Sequence, residues 1–125
     1  MKPYTGLLLG TAMIIGMSSF DAKAQTAEPT YKADPAVYKL IFEDANFRVI
    51  EATHTKGVRD KPHSHGGPFL VYNLTDCKQK TYAPDGTATE RDGKAGTVTA
   101  LPAIASHTAE NIGAADCKQI FVERK

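Results

Sequence analysis

The feature that most constrains the fold is a succession of short strand-like segments separated by turn signals, which runs from residue 37 to the C-terminus. Runs rich in β-branched and aromatic residues alternate with clusters of glycine, proline, aspartate and asparagine. We predict strands over 37–43, 47–55, 69–74, 78–83, 87–91, 97–101, 107–112 and 117–123. No segment of this region forms a convincing helical pattern. Short strands at this spacing are typical of an all-β sandwich or barrel.

The first two dozen residues have the pattern of a secretory signal peptide. One lysine precedes a mostly apolar stretch over 6–17, and the polar segment after it ends in Ala22-Lys23-Ala24, an A-x-A cleavage pattern before Gln25. The apolar stretch is shorter than the about 20 residues that a membrane-spanning helix needs. We therefore expect residues 1–24 to be removed and the mature chain to be periplasmic or secreted. A retained membrane anchor or a buried helix is the alternative.

The mature chain of about 100 residues is long enough for one domain with a single core. Residues 25–36 are polar, contain two prolines and indicate a loose N-terminal arm, which leaves 37–125 as the domain. The formal net charge is +1, with acidic and basic residues interspersed. This composition indicates neither a nucleic-acid partner nor, for the mature chain, a membrane partner.

The chain contains two cysteines, Cys77 and Cys117. In an exported chain, two cysteines form a disulfide more often than a metal-binding pair. The alternative is two separate buried thiols that pack as small apolar side chains. Each cysteine lies in the tetrapeptide Asp-Cys-Lys-Gln, which occurs at 76–79 and 116–119 and is too short to establish a repeat.

Two of the four histidines, His63 and His65, lie one residue apart between a proline and a pair of glycines. In an extended strand, side chains two residues apart point to the same face, which suits two imidazoles on one metal ion. Two ligands alone are a weak signal, so a metal site needs a third. His107 is the candidate because it opens a strand after a proline-containing loop, whereas we interpret His54 as an ordinary strand histidine.

The histidine pair belongs to a longer spaced pattern. Gly57 is followed by five residues and then by His63-Ser64-His65. The same order of glycine, five residues and H-x-H opens the first motif of the cupin superfamily, which the chain resembles here.

The second cupin motif runs glycine, five residues, proline, one residue, glycine, two residues, histidine, three residues and asparagine. The residues at these spacings are Gly96, Pro102, His107 and Asn111. Ile104 replaces the second glycine. Two independent motifs at the right separation make the resemblance specific, and it covers the mature chain from about 38 to 123.

The resemblance implies a single-domain double-stranded β-helix, which is a jelly-roll barrel, with a metal centre at His63, His65 and His107. The chain departs from the first motif at the usual glutamate ligand, whose position holds Phe69, and no acidic residue lies between His65 and Asp76. Three neutral imidazoles therefore leave the full charge of a divalent metal uncompensated. Imidazole suits Fe, Zn, Cu and Ni alike, and Mn stays a candidate, so the ligands do not identify the metal.

The two-residue strand period places Phe69, Val71 and Asn73 on the interior of the barrel beside the metal, and Tyr72 on the outside. Such a pocket is apolar with a single amide and poor in acid–base groups. Strand parity directs the serines next to the histidines away from them, which excludes serine hydrolase chemistry. The topology implied by the resemblance also brings Cys77 and Cys117 close together at one end of the barrel, which favours the disulfide.

Three functions stay open. The first is a metal-dependent oxidoreductase that uses O₂ on a small carboxylate or thiol, as implied by similarity to thiol dioxygenases, cupins that hold iron by three histidines. The second is a non-catalytic periplasmic cupin that binds a metal or a small ligand. The third is a metal-dependent isomerase, lyase or hydrolase. In each case we expect one divalent transition metal and a small-molecule partner, with a homodimer as a candidate assembly.

Overall fold

The computed structural model describes residues 26–125, and the predicted signal peptide lies outside them. This part of the chain contains nine strands and one short helix. The elements are α1 (Thr30–Ala33), β1 (Tyr38–Glu43), β2 (Phe47–His54), β3 (His63–His65), β4 (Phe69–Asn73), β5 (Cys77–Tyr82), β6 (Ala88–Gly93), β7 (Val98–Leu101), β8 (Ile104–Asn111) and β9 (Cys117–Arg124). No helix among these residues is long and apolar enough to cross a membrane.

The strands form two antiparallel sheets, one in the order β1-β2-β9-β4-β7 and the other in the order β3-β8-β5-β6. Two consecutive pairs, β1 with β2 and β5 with β6, are neighbours, and each other connection crosses from one sheet to the other, so that the two sheets form a jelly-roll barrel. The hydrophobic core lies inside the larger sheet and comprises Tyr38, Ile50, Ala52, Phe69, Val71 and Phe121. The predicted all-β barrel is confirmed.

Strand β4 has the alternating burial that the sequence predicts. Phe69, Val71 and Asn73 are buried, while Leu70 and Tyr72 are 44% and 39% exposed. In a strand with one face on the core, a shift of register by one residue would exchange these two sets. The predicted register of β4, with Tyr72 on the outside, is therefore correct.

Strand β8 begins earlier than the sequence predicts. Residues 102–106 were expected to be a loop, but β8 starts at Ile104 and pairs with β3. In this pairing His63 lies opposite His107 and His65 opposite Ile104, with a bulge between the two pairs. The prediction was wrong because Pro102 is a turn signal in the sequence, whereas the pairing with β3, which is distant in sequence, extends the strand back to Ile104.

The N-terminal arm is not loose, which corrects the expectation from its polar composition. The backbone N–H of Ala27 donates to the Ala105 carbonyl, and the N–H of Ser64 donates to the Glu28 carbonyl. Thr30 is fully buried. Strand β3 lies at the edge of its sheet, so the arm provides partners for backbone groups that an edge strand would otherwise leave open.

The two cysteines form the predicted disulfide. Cys77 begins β5 and Cys117 begins β9, and their Cα atoms are 5.1 Å apart. Because β5 and β9 belong to different sheets, the bond joins the two sheets at one end of the barrel.

Candidate metal centre

The three candidate histidines come together on the inner side of the paired strands β3 and β8. One ring nitrogen of each of His63, His65 and His107 lies within 4.8 Å of the others. The closest contact joins Nε2 of His65 to Nε2 of His107 at 3.2 Å. His63 and His65 are buried, and His107 is half-buried. The structure thus brings together the three residues that the sequence singled out.

The spacing of the three nitrogens is close to what a single metal ion requires. A first-row metal with bonds of about 2.1 Å to nitrogen holds its ligand atoms no more than about 4.2 Å apart. The upper bound of 4.8 Å on the spacing of the three nitrogens is about half an ångström larger than this. Small rotations of the rings are enough to close that gap, so this donor set fits a metal.

Hydrogen bonds to the outer ring nitrogens fix the orientation of two of the imidazoles. Nδ1 of His63 donates to the Lys61 carbonyl at 2.9 Å, and Nδ1 of His65 donates to the Glu123 carboxylate at 2.7 Å. Since a carbonyl or carboxylate accepts, Nδ1 of each ring carries a proton, which leaves Nε2 as the nitrogen available to a metal. This arrangement of an outer-shell partner behind a ligating histidine is typical of metal sites in proteins.

The sequence analysis missed Glu123. Its carboxylate is buried against His65, although it lies on β9 beside the apolar residues Ile120 and Val122. The sequence does contain a pattern that indicates its burial. At the two-residue period of a strand, Glu123 lies on the same face as Cys117 and Phe121.

The electrostatics of the cluster favour the neutral imidazoles that a metal needs. Burial, the largest cause, lowers the pKa of His63 to about 4 and the pKa of His107 to about 3. The neighbouring imidazoles lower both pKa values further because a second positive charge would be repelled. At neutral pH both rings are therefore unprotonated and ready to bind a cation.

His54 lies close to this cluster but outside it, which agrees with its interpretation as a strand histidine. Its ring packs edge-on against Tyr38 with centroids 5.4 Å apart. Tyr38 donates a hydrogen bond of 2.5 Å to Asp60, and its hydroxyl lies 3.5 Å from Nε2 of His63. Burial lowers the pKa of His54 to about 4 and, as the largest of several causes, raises the pKa of Tyr38 well above its ordinary value.

Phe69, which stands where the first cupin motif has its glutamate, contacts a candidate ligand directly. Its ring stacks on His65 with centroids 3.9 Å apart and planes inclined by 6°. Phe121 packs against the same histidine with centroids 5.6 Å apart. The two aromatic rings cover His65 and keep water from that side of the cluster.

A cavity of about 100 Å³ extends from the histidines into the barrel. Phe69, Val71 and Asn73 line it as predicted. Its polar lining besides the histidines includes Gln79, Thr81, Arg91, Asp92, Thr99 and Gln119. The prediction of an apolar pocket with a single amide is therefore wrong, because β5 and β9 bring two further amides inward and β6 contributes charged residues.

Comparisons with known proteins agree with this architecture. No protein-family model matches the sequence, and no curated protein matches it either. Among solved structures, a cupin domain protein from Bordetella pertussis superposes with a TM-score of 0.65 at 17% identity, covering 71% of this chain and 92% of that chain. A cupin superfamily protein from Desulfitobacterium hafniense gives a TM-score of 0.53 at 12% identity, covering 70% and 75%.

A cupin 2 conserved barrel domain protein from Leptotrichia buccalis is 27% identical with a TM-score of 0.54; the match covers 71% of this chain but only 40% of that chain. By its architecture and its histidine cluster, the chain is a small β-barrel protein with a candidate metal centre. The chain has the fold of the cupin superfamily.

Proposed function

We propose that His63, His65 and His107 bind one divalent transition metal and that the chain is a metal-binding cupin. The observation that carries this proposal is the convergence of three imidazoles whose ring nitrogens lie within 4.8 Å of one another. Glu123 and the Lys61 carbonyl support it because they bind Nδ1 of two of the rings and so leave Nε2 of each ring for a metal. Iron, zinc, copper and nickel all accept imidazole ligands, and manganese is the least favoured.

We further propose that the metal serves the O₂-dependent oxidation of a small carboxylate or thiol. A divalent ion held by three neutral ligands keeps its full charge, so an anionic group is the favoured additional ligand. When bound, iron would supply the redox chemistry of such a reaction. The chain contributes a cavity of about 100 Å³, which admits only a small molecule, and the rings of Phe69 and Phe121, which exclude water beside His65.

Non-catalytic binding of a metal or small ligand is the second candidate, and one observation favours it over an isomerase, lyase or hydrolase. General acid–base catalysis works best with a pKa near the operating pH. Burial moves the pKa of His54 down to about 4 and, as its largest cause, the pKa of Tyr38 well above its ordinary value. His54 and Tyr38 are therefore unsuited to proton transfer near neutral pH, and Asp60, whose pKa burial raises to about 6, is not among the residues that line the cavity.

Oxygen consumption by iron-loaded protein distinguishes oxidation from binding alone. The full chain is loaded anaerobically with Fe(II), mixed with a panel of small thiols and carboxylates, and followed with an oxygen electrode and product analysis. We expect O₂ uptake matched by an oxidised product with at least one member of the panel, and none with zinc-loaded protein or with the His107→Ala variant. Full iron loading without O₂ uptake on any member would contradict the oxidase proposal and favour binding alone.

We also propose that the protein is exported. The disulfide between Cys77 and Cys117 supports this, because structural disulfides persist in oxidising compartments and are rare in the cytosol. The predicted cleavage after Ala24 would place that compartment in the periplasm or outside the cell.

A further inference from the structure

The part of the cavity away from the histidines carries a cluster of three amide side chains that the proposed function does not use. Asn73, Gln79 and Gln119 project into it from β4, β5 and β9. Gln119 is only 3% exposed, and its Nε2 donates to Gln79 Oε1 at 3.0 Å. Gln79 and Gln119 are the last residues of the two copies of the tetrapeptide Asp-Cys-Lys-Gln. The cysteines of the two copies form the disulfide, and the glutamines two residues later contact each other inside the barrel.

A chain of hydrogen bonds that starts at a backbone carbonyl fixes which way these amides point. The Thr97 hydroxyl donates to the Lys94 carbonyl, which can only accept. The Thr97 oxygen then accepts from Asn73 Nδ2 at 3.2 Å. Asn73 must therefore turn Oδ1 towards Gln119, whose Nε2 donates to it at 2.8 Å. Because Nε2 of Gln119 faces Asn73, the other atom of this amide is the oxygen Oε1, which can only accept a hydrogen bond.

Gln119 Oε1 is buried and has no hydrogen-bond partner among the residues that the structure describes. A buried acceptor without a donor is unfavourable, so the site favours any molecule that supplies one. The backbone is shaped to hold this arrangement, because a Cβ atom at Gly93 would lie 2.5 Å from Asn73 Nδ2. A side chain at Gly93 would therefore displace the Asn73 amide.

We propose that Gln119 Oε1 is a ligand subsite that accepts a hydrogen bond from a hydroxyl, ammonium or amide N–H group. The inference rests on the proposed metal site and extends it, because the two features lie apart in one cavity. Gln119 and Glu123, the partner of His65, are four residues apart on β9, which is about 13 Å along a strand. Phe121 lies between them and faces the same cavity. The ligand class is thus a small molecule with an anionic head on the metal, a short apolar middle and a donor tail.

Matched thiols test this subsite on the full chain loaded with Co(II). The probes are straight-chain thiols of two to about six carbons that end in an ammonium, a hydroxyl or a methyl group. The thiolate–cobalt absorption band measures binding of the head whatever the tail. At one chain length we expect the ammonium or hydroxyl probe to bind about tenfold more tightly than the methyl probe, as one buried hydrogen bond allows.

Two variants examine the atoms involved. Gln119→Met keeps the length of the side chain but removes the acceptor, so the preference for a donor tail should fall below about twofold while the methyl probe still gives the cobalt band. Thr97→Val removes the nearer of the two acceptors of Asn73 Nδ2 and leaves only the longer contact of 3.5 Å to the Thr97 carbonyl to orient the amides. The preference should then shrink although Thr97 does not line the cavity. Thr89→Val, an exposed threonine on β6, is the matched control and should keep the preference.

The outcomes separate this inference from the proposed function. Equal affinities for the three tails at every chain length would overturn the subsite alone, because water would then serve Gln119 as well as a ligand does. Absence of the cobalt band with every thiol would overturn the metal proposal and the subsite with it. A donor preference that Gln119→Met abolishes and Thr89→Val retains would support both.

Discussion

Glu123 is buried behind His65, where its carboxylate accepts the Nδ1 proton at 2.7 Å. Through this bond it orients the ring and increases the electron density on the metal-facing nitrogen. We predict that Glu123→Gln lowers the metal affinity by about 10- to 100-fold while one metal still binds per chain. Competition with a chromogenic chelator measures the change. Glu43→Gln, at an exposed ion pair with Arg48, is the control, and an equal affinity in the Glu123 and Glu43 variants would refute the orienting role.

Phe69 occupies the place where a carboxylate would complete the metal sphere. Because its ring lies against His65 inside the barrel, a glutamate there can reach the same metal. We predict that Phe69→Glu tightens metal binding by about tenfold, since an anionic oxygen is added to three neutral nitrogens. Leu70→Glu is the control, because this neighbour is 44% exposed on the outer face and should leave the affinity unchanged. Unchanged affinity in both variants would place the metal elsewhere.

His54 makes the metal-free protein sensitive to acid. Burial lowers its pKa to about 4 from 6.5, so below pH 6.5 the unfolded chain takes up a proton that the folded chain does not. The stability from this site is present above pH 6.5 and is lost as the pH falls towards 4. We predict that His54→Phe becomes more stable relative to the natural sequence as the pH falls. The difference between their free energies of unfolding should grow by about 2 kcal/mol from pH 7 to pH 4.5. Urea denaturation of metal-free proteins measures it, and a constant difference would contradict it.

Strands β4 and β9 show how much of the barrel could be predicted from the sequence. In β4 the register follows from the position of Phe69 in the first cupin motif, because hydrophobic alternation does not define it: Leu70 faces outward and Asn73 inward. In β9 the inward face carries Gln119 and Glu123, whereas Ile120 and Val122 are only half-buried on the other face. Hydrophobic alternation therefore fails on β9, because that strand carries the polar groups of the site. Pattern reasoning found the ligands but missed the residues that orient them.

The second cupin motif also contributes to the loops between strands. Asn111, its last residue, is fully buried and donates from Nδ2 to the carbonyls of His54 and Ala115. Its Oδ1 accepts from the N–H of Gly113. The side chain thus closes the turn between β8 and β9 and ties it to the end of β2. The arm over 26–36 could not be predicted in this way, because its partners on β3 and β8 are distant in sequence.

The disulfide connects β5 of one sheet to β9 of the other and closes a loop with a sequence separation of 40 residues. We predict that reduction, or the double change of Cys77→Ser and Cys117→Ser, lowers the free energy of unfolding by about 2–4 kcal/mol. Metal affinity should stay within about twofold, because the histidines lie on β3 and β8. Denaturant titrations with and without reductant measure the first effect. An unchanged midpoint would show that the bond does not stabilise the fold.

At the scale of the whole molecule, the barrel carries chemistry at two places along one cavity. The histidine cluster lies on the inner side of β3 and β8, and the amide cluster lies beside the disulfide that joins the two sheets. Apolar residues of the core separate the two clusters. The fold thus provides a frame in which the proposed metal and the proposed amide subsite would contact a single small molecule.

Metal content, measured by mass spectrometry on the full chain and three variants, tests the central claim most directly. We predict one transition metal per chain in the natural sequence and in His54→Ala, because His54 lies outside the cluster. His63→Ala and His107→Ala should lose the metal while keeping the β-sheet signal in circular dichroism, since neither histidine belongs to the hydrophobic core cluster. Full metal content in the His63 and His107 variants, or loss of metal only in the His54 variant, would contradict the three-histidine site.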